Sequence, residues 1–292
     1  MCLIAFDLDN TLGFFYHIGI WSDFFSVDTI ENSFNKKINP GLKLSSSLKA
    51  KLRRAEALYI KKLLASSELL KTILRPNLDE LIKPLIKNKR KVRSVAIYSN
   101  TWNSFTPHIA KAIIETVYKC PGLFDVLVDA THSIRKYDWK LAEDGSPAKT
   151  FKTVKAIFRD LCNVKGPIDP CDVLFVDDRE PKHLIEKEES KGLVYLKPTA
   201  FDPKLTSAQR QEIFKIGLDV LDETNLLTDE EYLNSDVFFC KKYTSTTTTV
   251  QIKGINNLFK MVSKKLMSEG LDKNPFKDDS NKIRECMRDF FK

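Results

Sequence analysis

Two aspartates, Asp7 and Asp9, follow directly on the apolar run Leu3-Ile4-Ala5-Phe6, with Asn10 and Thr11 next. Such a run reads as a parallel strand, buried on both faces, that stops in a polar turn. Carboxylates at that end lie where open α/β sheets bind their ligands. Asp, Asn and Thr also favour strand ends for purely local reasons, so turn chemistry is the competing reading of this stretch.

The pattern recurs twice. Val95-Ala96-Ile97-Tyr98 runs into Ser99-Asn100-Thr101, groups suited to holding an anion through a hydroxyl and backbone N–H groups at the start of the next helix. Val173-Leu174-Phe175-Val176 runs into Asp177-Asp178-Arg179. In a parallel sheet these ends share one edge, and a helix that follows a strand starts there too. A lysine at a helix N-terminus therefore joins the set. Lys149 is the first candidate, Lys152 lies one turn further in, and Lys155 about 9 Å along the helix. The alternative is that all three are solvated helix lysines.

The elements that must position these groups follow from periodicity. Strands are expected at Leu3–Phe6, Val95–Tyr98, Leu123–Ala130, Val173–Val176 and Gly192–Leu196, alternating with helices at about 75–86, 104–118 and 149–161. Pro84 falls inside the first of these helices and is expected to kink or end it. Strand–helix alternation predicts an α/β fold with a doubly wound parallel sheet. Leu48, Leu52, Ala55, Leu58, Leu63, Leu64, Leu69 and Leu70 recur at helical spacing, so a helical insertion (about 26–74) follows the first strand. The aromatic stretch Phe14, Phe15, Tyr16, Trp21, Phe24, Phe25 reads either as a flap over a substrate or as packing against a neighbouring helix. Domains are expected at 1–204, with the insertion, and at 205–292 as a mostly helical C-terminal extension. The extension is expected to hold helices at 208–221, 229–233, 257–267 and 281–291, and a threonine run, 246–249, that fits a strand or a linker.

Composition narrows the class. The 292 residues are 42% hydrophobic, enough for a substantial core. A net charge of +8 favours anionic partners, although basic runs such as 49–54 and 87–93 also read as solvated helix faces. Six dispersed cysteines and four scattered histidines give no zinc spacing, and no apolar run approaches the ~20 residues of a membrane span. No membrane partner is expected, nucleic acid is open but not favoured, and the expected location is cytoplasmic or nuclear.

Asp7-Leu8-Asp9-Asn10-Thr11, Ser99, Lys149 and Asp177-Asp178, in that order, resemble the four motifs of the haloacid dehalogenase superfamily, over about residues 1–200. Leu74-Arg75-Pro76-Asn77-Leu78-Asp79-Glu80-Leu81 resembles the small C-terminal-domain phosphatases and their NLI-interacting-factor relatives. Those enzymes usually carry a threonine in the second motif and an Asp-Asn pair in the fourth, where this chain has Ser99 and Asp177-Asp178-Arg179.

The resemblance implies a Rossmannoid fold and a phosphatase that forms an aspartyl-phosphate. Asp7 would be the nucleophile and Asp9 the general acid and base, with the Asp9 backbone carbonyl as a metal ligand. Ser99, Asn100 and Lys149 would hold the phosphoryl oxygens. Four crowded carboxylates repel one another without a cation, so Mg²⁺ is the expected cofactor, held by Asp7, Asp9, Asp177 and Asp178. Thr11 would fix the turn. The implied substrate is a phosphoprotein, with a small phosphorylated metabolite or a nucleic acid phosphate end as alternatives. A binding or scaffold protein that keeps the fold without turnover is the reading from another class.

Overall fold

A computed structural model describes residues 2–27, 30–31, 43–142, 145–233 and 279–292. Five strands, β1 (Cys2–Phe6), β2 (Val92–Tyr98), β3 (Val126–Val128), β4 (Val173–Val176) and β5 (Val194–Leu196), form one sheet in the order β3-β2-β1-β4-β5. Every pairing is parallel. This is an α/β architecture compatible with a Rossmann-like fold. β1 is central because Leu3, Ile4, Ala5 and Phe6 are buried on both faces and expose no polar side chain to water.

Strand order reverses between β1 and β4, which makes their carboxyl ends the switch point where ligand crevices open. Register then aligns the functional ends. Phe6 pairs with both Ile97 and Val176, so Asp7 stands level with Tyr98 and Asp177, and Ser99 lies one residue beyond. One face of the sheet packs Leu3, Ala5, Tyr98 and Phe175 against Phe151, Val154 and Phe158 of the chain before β4. On β1, Phe6 meets Phe124 edge-on at 6.3 Å.

Several boundaries differ from the periodicity reading. β3 holds three residues rather than eight; just ahead of it the Asp125 carboxylate, in place of a main-chain carbonyl, accepts from the Val95 N–H and the Ser94 hydroxyl (both 2.8 Å). The inserted helical stretch is two helices, Ser46–Ala65 and Ser67–Ile73, parted at Ser66. Helix Asp79–Lys87 runs on for three residues past Pro84. The expected helix over 149–161 is the helix Phe151–Ala156, capped by the Thr150 side chain, followed by a wider turn over Ile157–Leu161. Expected features at 246–249 and 257–267 lie outside the described residues.

The chain divides into two compact units: Met1–Phe15, Lys71–Pro203 and Asn274–Lys292 in the first, Tyr16–Leu70 and Lys204–Lys273 in the second, each taken over its described residues. This division cuts across the boundary at 204/205. Helix Ser207–Glu223 belongs with the inserted helix Ser46–Ala65, while the terminal helix Ser280–Phe290 belongs with the sheet. An amphipathic stripe shows that a helix has a partner without naming it, so chain order alone does not reveal this grouping.

In the second unit the later part of the aromatic stretch is core, while Tyr16 is exposed and Phe14 and Phe15 belong to the first unit. Trp21, Phe24 and Phe25 are buried, Trp21 stacks on Phe25 at 5.9 Å, and Phe25 meets Tyr59 at 5.3 Å. The packing alternative therefore accounts for these rings. Tyr59 and Tyr232 satisfy their hydroxyls on the carbonyls of Ile18 and Phe24, each at 2.9 Å. Gly217 lets its helix approach Trp21: a Cβ there would lie 2.0–2.4 Å from three indole carbons.

That contact makes the sign of one substitution a test. Helix propensity alone would have Gly217→Ala stabilise by up to ~1 kcal/mol. The overpacked indole is worth about 1–3 kcal/mol in the other direction. Gly217→Ala is expected to lower the melting temperature measured by circular dichroism, and an unchanged or higher value would contradict this packing.

Candidate active site

Asp7 leaves β1 with its N–H bonded to the Val176 carbonyl at 2.8 Å, which keeps its buried side chain at the seam between β1 and β4. The turn that follows reverses sharply. Asn10 takes a left-handed conformation (φ 63°), which Asn tolerates better than most residues, and the Asn10 N–H bonds the Gly13 carbonyl at 2.8 Å. Thr11 ties this turn to the end of β4. Its hydroxyl lies 3.0 Å from Asp178 Oδ1 and 3.3 Å from Asp7 Oδ2, and accepts the Asp178 N–H at 3.0 Å.

Lys149 sits immediately before the Thr150 cap of its helix and is itself buried. Its ammonium donates to Asp7 Oδ1 at 2.5 Å and to Asp177 Oδ2 at 2.7 Å. The other two lysines go elsewhere: Lys152 is exposed over the Tyr137 ring and Lys155 lies over Phe151. Burial alone would depress the Lys149 pKa, but the attraction of Asp177 and Asp7 outweighs it and holds the amine above its usual value.

The carboxylates respond in the opposite sense to their confinement. Burial raises Asp7 despite the pull of Lys149, and Asp177 and Asp178 add to the rise. Asp178 is raised by burial and then by Asp177. Asp9 is pushed up to about 6, mainly by burial, against a hydrogen bond from the Phe15 backbone. One of its oxygens, Oδ1, is buried without a hydrogen-bond partner.

Asp7, Asp177 and Asp178 each offer an oxygen within 4.8 Å of the others. An all-carboxylate set of this kind could hold a hard divalent cation beside the Lys149 ammonium. The Asp9 side chain is not part of that set.

Ser99, at the end of β2, is buried, and its Oγ accepts the Thr101 N–H at 3.2 Å, which leaves the hydroxyl proton to donate. The Asn100 side chain is used differently from the anion-holding role expected of it. Its Nδ2 donates to the Pro147 carbonyl at 3.1 Å and its Oδ1 accepts from Arg135 at 2.7 Å, so its amide holds the loop together.

Two buried arginines, Arg135 and Arg75, hold these turns, a role that the sequence did not assign to either. Arg135 donates to the Ser99 carbonyl (2.7 Å), to the Ala148 carbonyl (3.1 Å) and to Asp138 (2.9 Å). Asp138 in turn accepts from Tyr98, Thr150 and Thr153. This network joins the Ser99 loop to the segment that presents Lys149. The spacing Arg135-x-x-Asp138 was the available signal, but it also fits a solvated pair.

Arg75 does the same for the aspartate turn. Its Nε donates to the Thr11 carbonyl at 2.7 Å, and Nη2 donates to the carbonyls of Asn10 (2.9 Å) and Thr199. Its charge faces Asp279, just ahead of the terminal helix, at 3.4 Å. Asp279 also accepts from Asn77 (3.0 Å) and from the Thr199 N–H (2.6 Å). The sequence marked Arg75 as the opening of a helix and as part of the Leu74–Leu81 resemblance, with no sign that the far C-terminus returns to it.

No protein-family model, curated protein or solved structure matches this chain. Among the described residues, no helix is long and apolar enough to cross a membrane.

Removing the Asp279 carboxylate would leave a buried guanidinium short of its counter-charge. Asp279→Ala is expected to cost about 1.5–3 kcal/mol, the range for a charge-assisted hydrogen bond, read as a lower urea midpoint. A midpoint within error of the parent would show that Asp279 does not hold Arg75.

Proposed function

We propose that this protein is a phosphatase of the haloacid dehalogenase type that hydrolyses a phosphomonoester through an aspartyl-phosphate on Asp7. One observation carries the reading: Asp7, Asp177, Asp178 and the ammonium of Lys149 converge at the switch point of a parallel sheet. The motif resemblance named the same residues from the sequence alone.

The chain's own groups supply each step. The Asp7 carboxylate attacks phosphorus, and the bond from phosphorus to the leaving oxygen breaks. Asp9 donates its proton to that oxygen. Its buried carboxyl, with a pKa near 6, keeps a protonated fraction near neutral pH that an ordinary aspartate lacks. Asp9 then takes a proton from the water that attacks the phosphoenzyme, and Asp7 is released as a carboxylate. Lys149 and the Ser99 hydroxyl neutralise the phosphoryl oxygens, and Lys149 also keeps the nucleophile's rotamer fixed by holding Asp7 Oδ1. Mg²⁺, held by Asp7, Asp177 and Asp178, would supply charge neutralisation for the incoming phosphate.

With Mg²⁺, the purified protein is expected to hydrolyse a generic aryl phosphate. Asp7→Asn should lower turnover by at least ~10³-fold, about 4 kcal/mol of barrier, while leaving the circular dichroism spectrum unchanged. Equal turnover by the parent and Asp7→Asn would sink the proposal, as would no hydrolysis by the parent.

A further inference from the structure

We infer that the site's outer rim is an aromatic and basic platform for a single-stranded nucleic acid carrying a terminal phosphate. This inference rests on the phosphatase reading of the Asp7 site and names its substrate class. Trp102 is 61% exposed, an unusual position for the largest apolar side chain, and it lies only three residues beyond Ser99. Three residues of extended chain span at most about 10 Å, so the indole belongs to the surroundings of the phosphoryl site.

Trp102 is not alone. Trp139 meets it at 5.0 Å with the ring planes tilted by 51°. Trp139 is itself anchored, its Nε1 donating to the Ala130 carbonyl at 2.9 Å, and the Ala130 N–H bonds the Thr101 carbonyl at 2.9 Å. The short helix Lys136–Lys140 carries both Tyr137, 37% exposed, and Trp139. Arg135 and Asp138 bolt that helix to the Ser99 loop from the buried side. The rings are therefore held by the same network that shapes the candidate anion site.

Charge selects the occupant. Lys136, Lys140 and Lys152 are exposed on or beside this helix, and the Lys152 ammonium lies 4.2 Å from the centroid of the Tyr137 ring. Aromatic faces interleaved with lysines are the elements that bind single-stranded nucleic acid, the rings stacking bases and the cations following the phosphates. A lone phosphorylated side chain offers one charged group and no need for a stacking face. A strand that ends in a phosphate offers both, with its terminal phosphate at Asp7 and a nearby base on Trp102.

The test compares a short single-stranded oligonucleotide bearing a terminal phosphate with glycerol phosphate and with a phosphoserine peptide. The oligonucleotide is expected to show the highest kcat/KM. Trp102→Ala should reduce that value, through KM, about tenfold more than the value for glycerol phosphate, and Trp102→Phe should restore most of it. Oligonucleotide binding should also quench tryptophan fluorescence in the parent and far less in Trp102→Ala. A preference for the phosphopeptide would overturn the inference, as would an equal loss on the oligonucleotide and on glycerol phosphate. If no phosphomonoester is hydrolysed, the phosphatase reading falls, and the platform then stands or falls on the Trp102-dependent quench alone.

Discussion

Three carboxylates held within 4.8 Å of one another around one ammonium set the terms for the rest of the first unit. At an effective dielectric of ~20, two like charges at that separation repel by about 3–4 kcal/mol, and each Lys149 contact returns about 6. The attractions and repulsions are thus of similar size. What remains uncompensated is the cost of taking the carboxylates out of water, and the raised pKa values of Asp7 and Asp178 are its signature. A site so arranged is poised for an additional positive charge and for a ligand that brings its own oxygens.

Holding such a cluster together is work for the surrounding backbone. Each of the two turns that carry the aspartates and Ser99 is clamped by a buried guanidinium whose donors reach main-chain carbonyls. Arginine suits this because its fork of donors is rigid and its charge persists when buried. Arg75 engages the aspartate turn and, through Asp279, the C-terminal helix. Arg135 engages the Ser99 loop and, through Asp138, the Lys149 segment. Thr11 spans the seam between β1 and β4 directly. Residues distant in sequence are therefore fixed at hydrogen-bond precision, which positioning chemistry requires.

Much of this was legible in the sequence for a physical reason. Strands buried on both faces must be continuously apolar, so β1, β2 and β4 and the polar groups that end them stand out as abrupt changes. Lys149 ranked ahead of Lys152 and Lys155 because a side chain reaches the sheet edge most readily from the start of a helix, but the sequence left Lys152 open. The arginine clamps were not legible, since a buried guanidinium and a solvated one look identical until the carbonyls around it are known. Nor was the two-unit division, because the helices at 46–65 and 207–223 find each other only in three dimensions. The aromatic stretch after the first strand shows the same limit: six rings in twelve residues announce packing, but not that Trp21, Phe24 and Phe25 fill the second unit's core while Tyr16 stays exposed.

The central claim is that Asp7 becomes covalently phosphorylated during turnover. The most direct measurement is to acid-quench the protein during turnover with Mg²⁺, reduce it with borohydride and map the peptides by mass spectrometry. The account predicts that the peptide containing Asp7 carries homoserine at that position, that the modification appears only with substrate, and that Asp9 and Asp178 stay unmodified. Turnover with an unaltered Asp7 peptide, or reduction at another carboxylate, would contradict it.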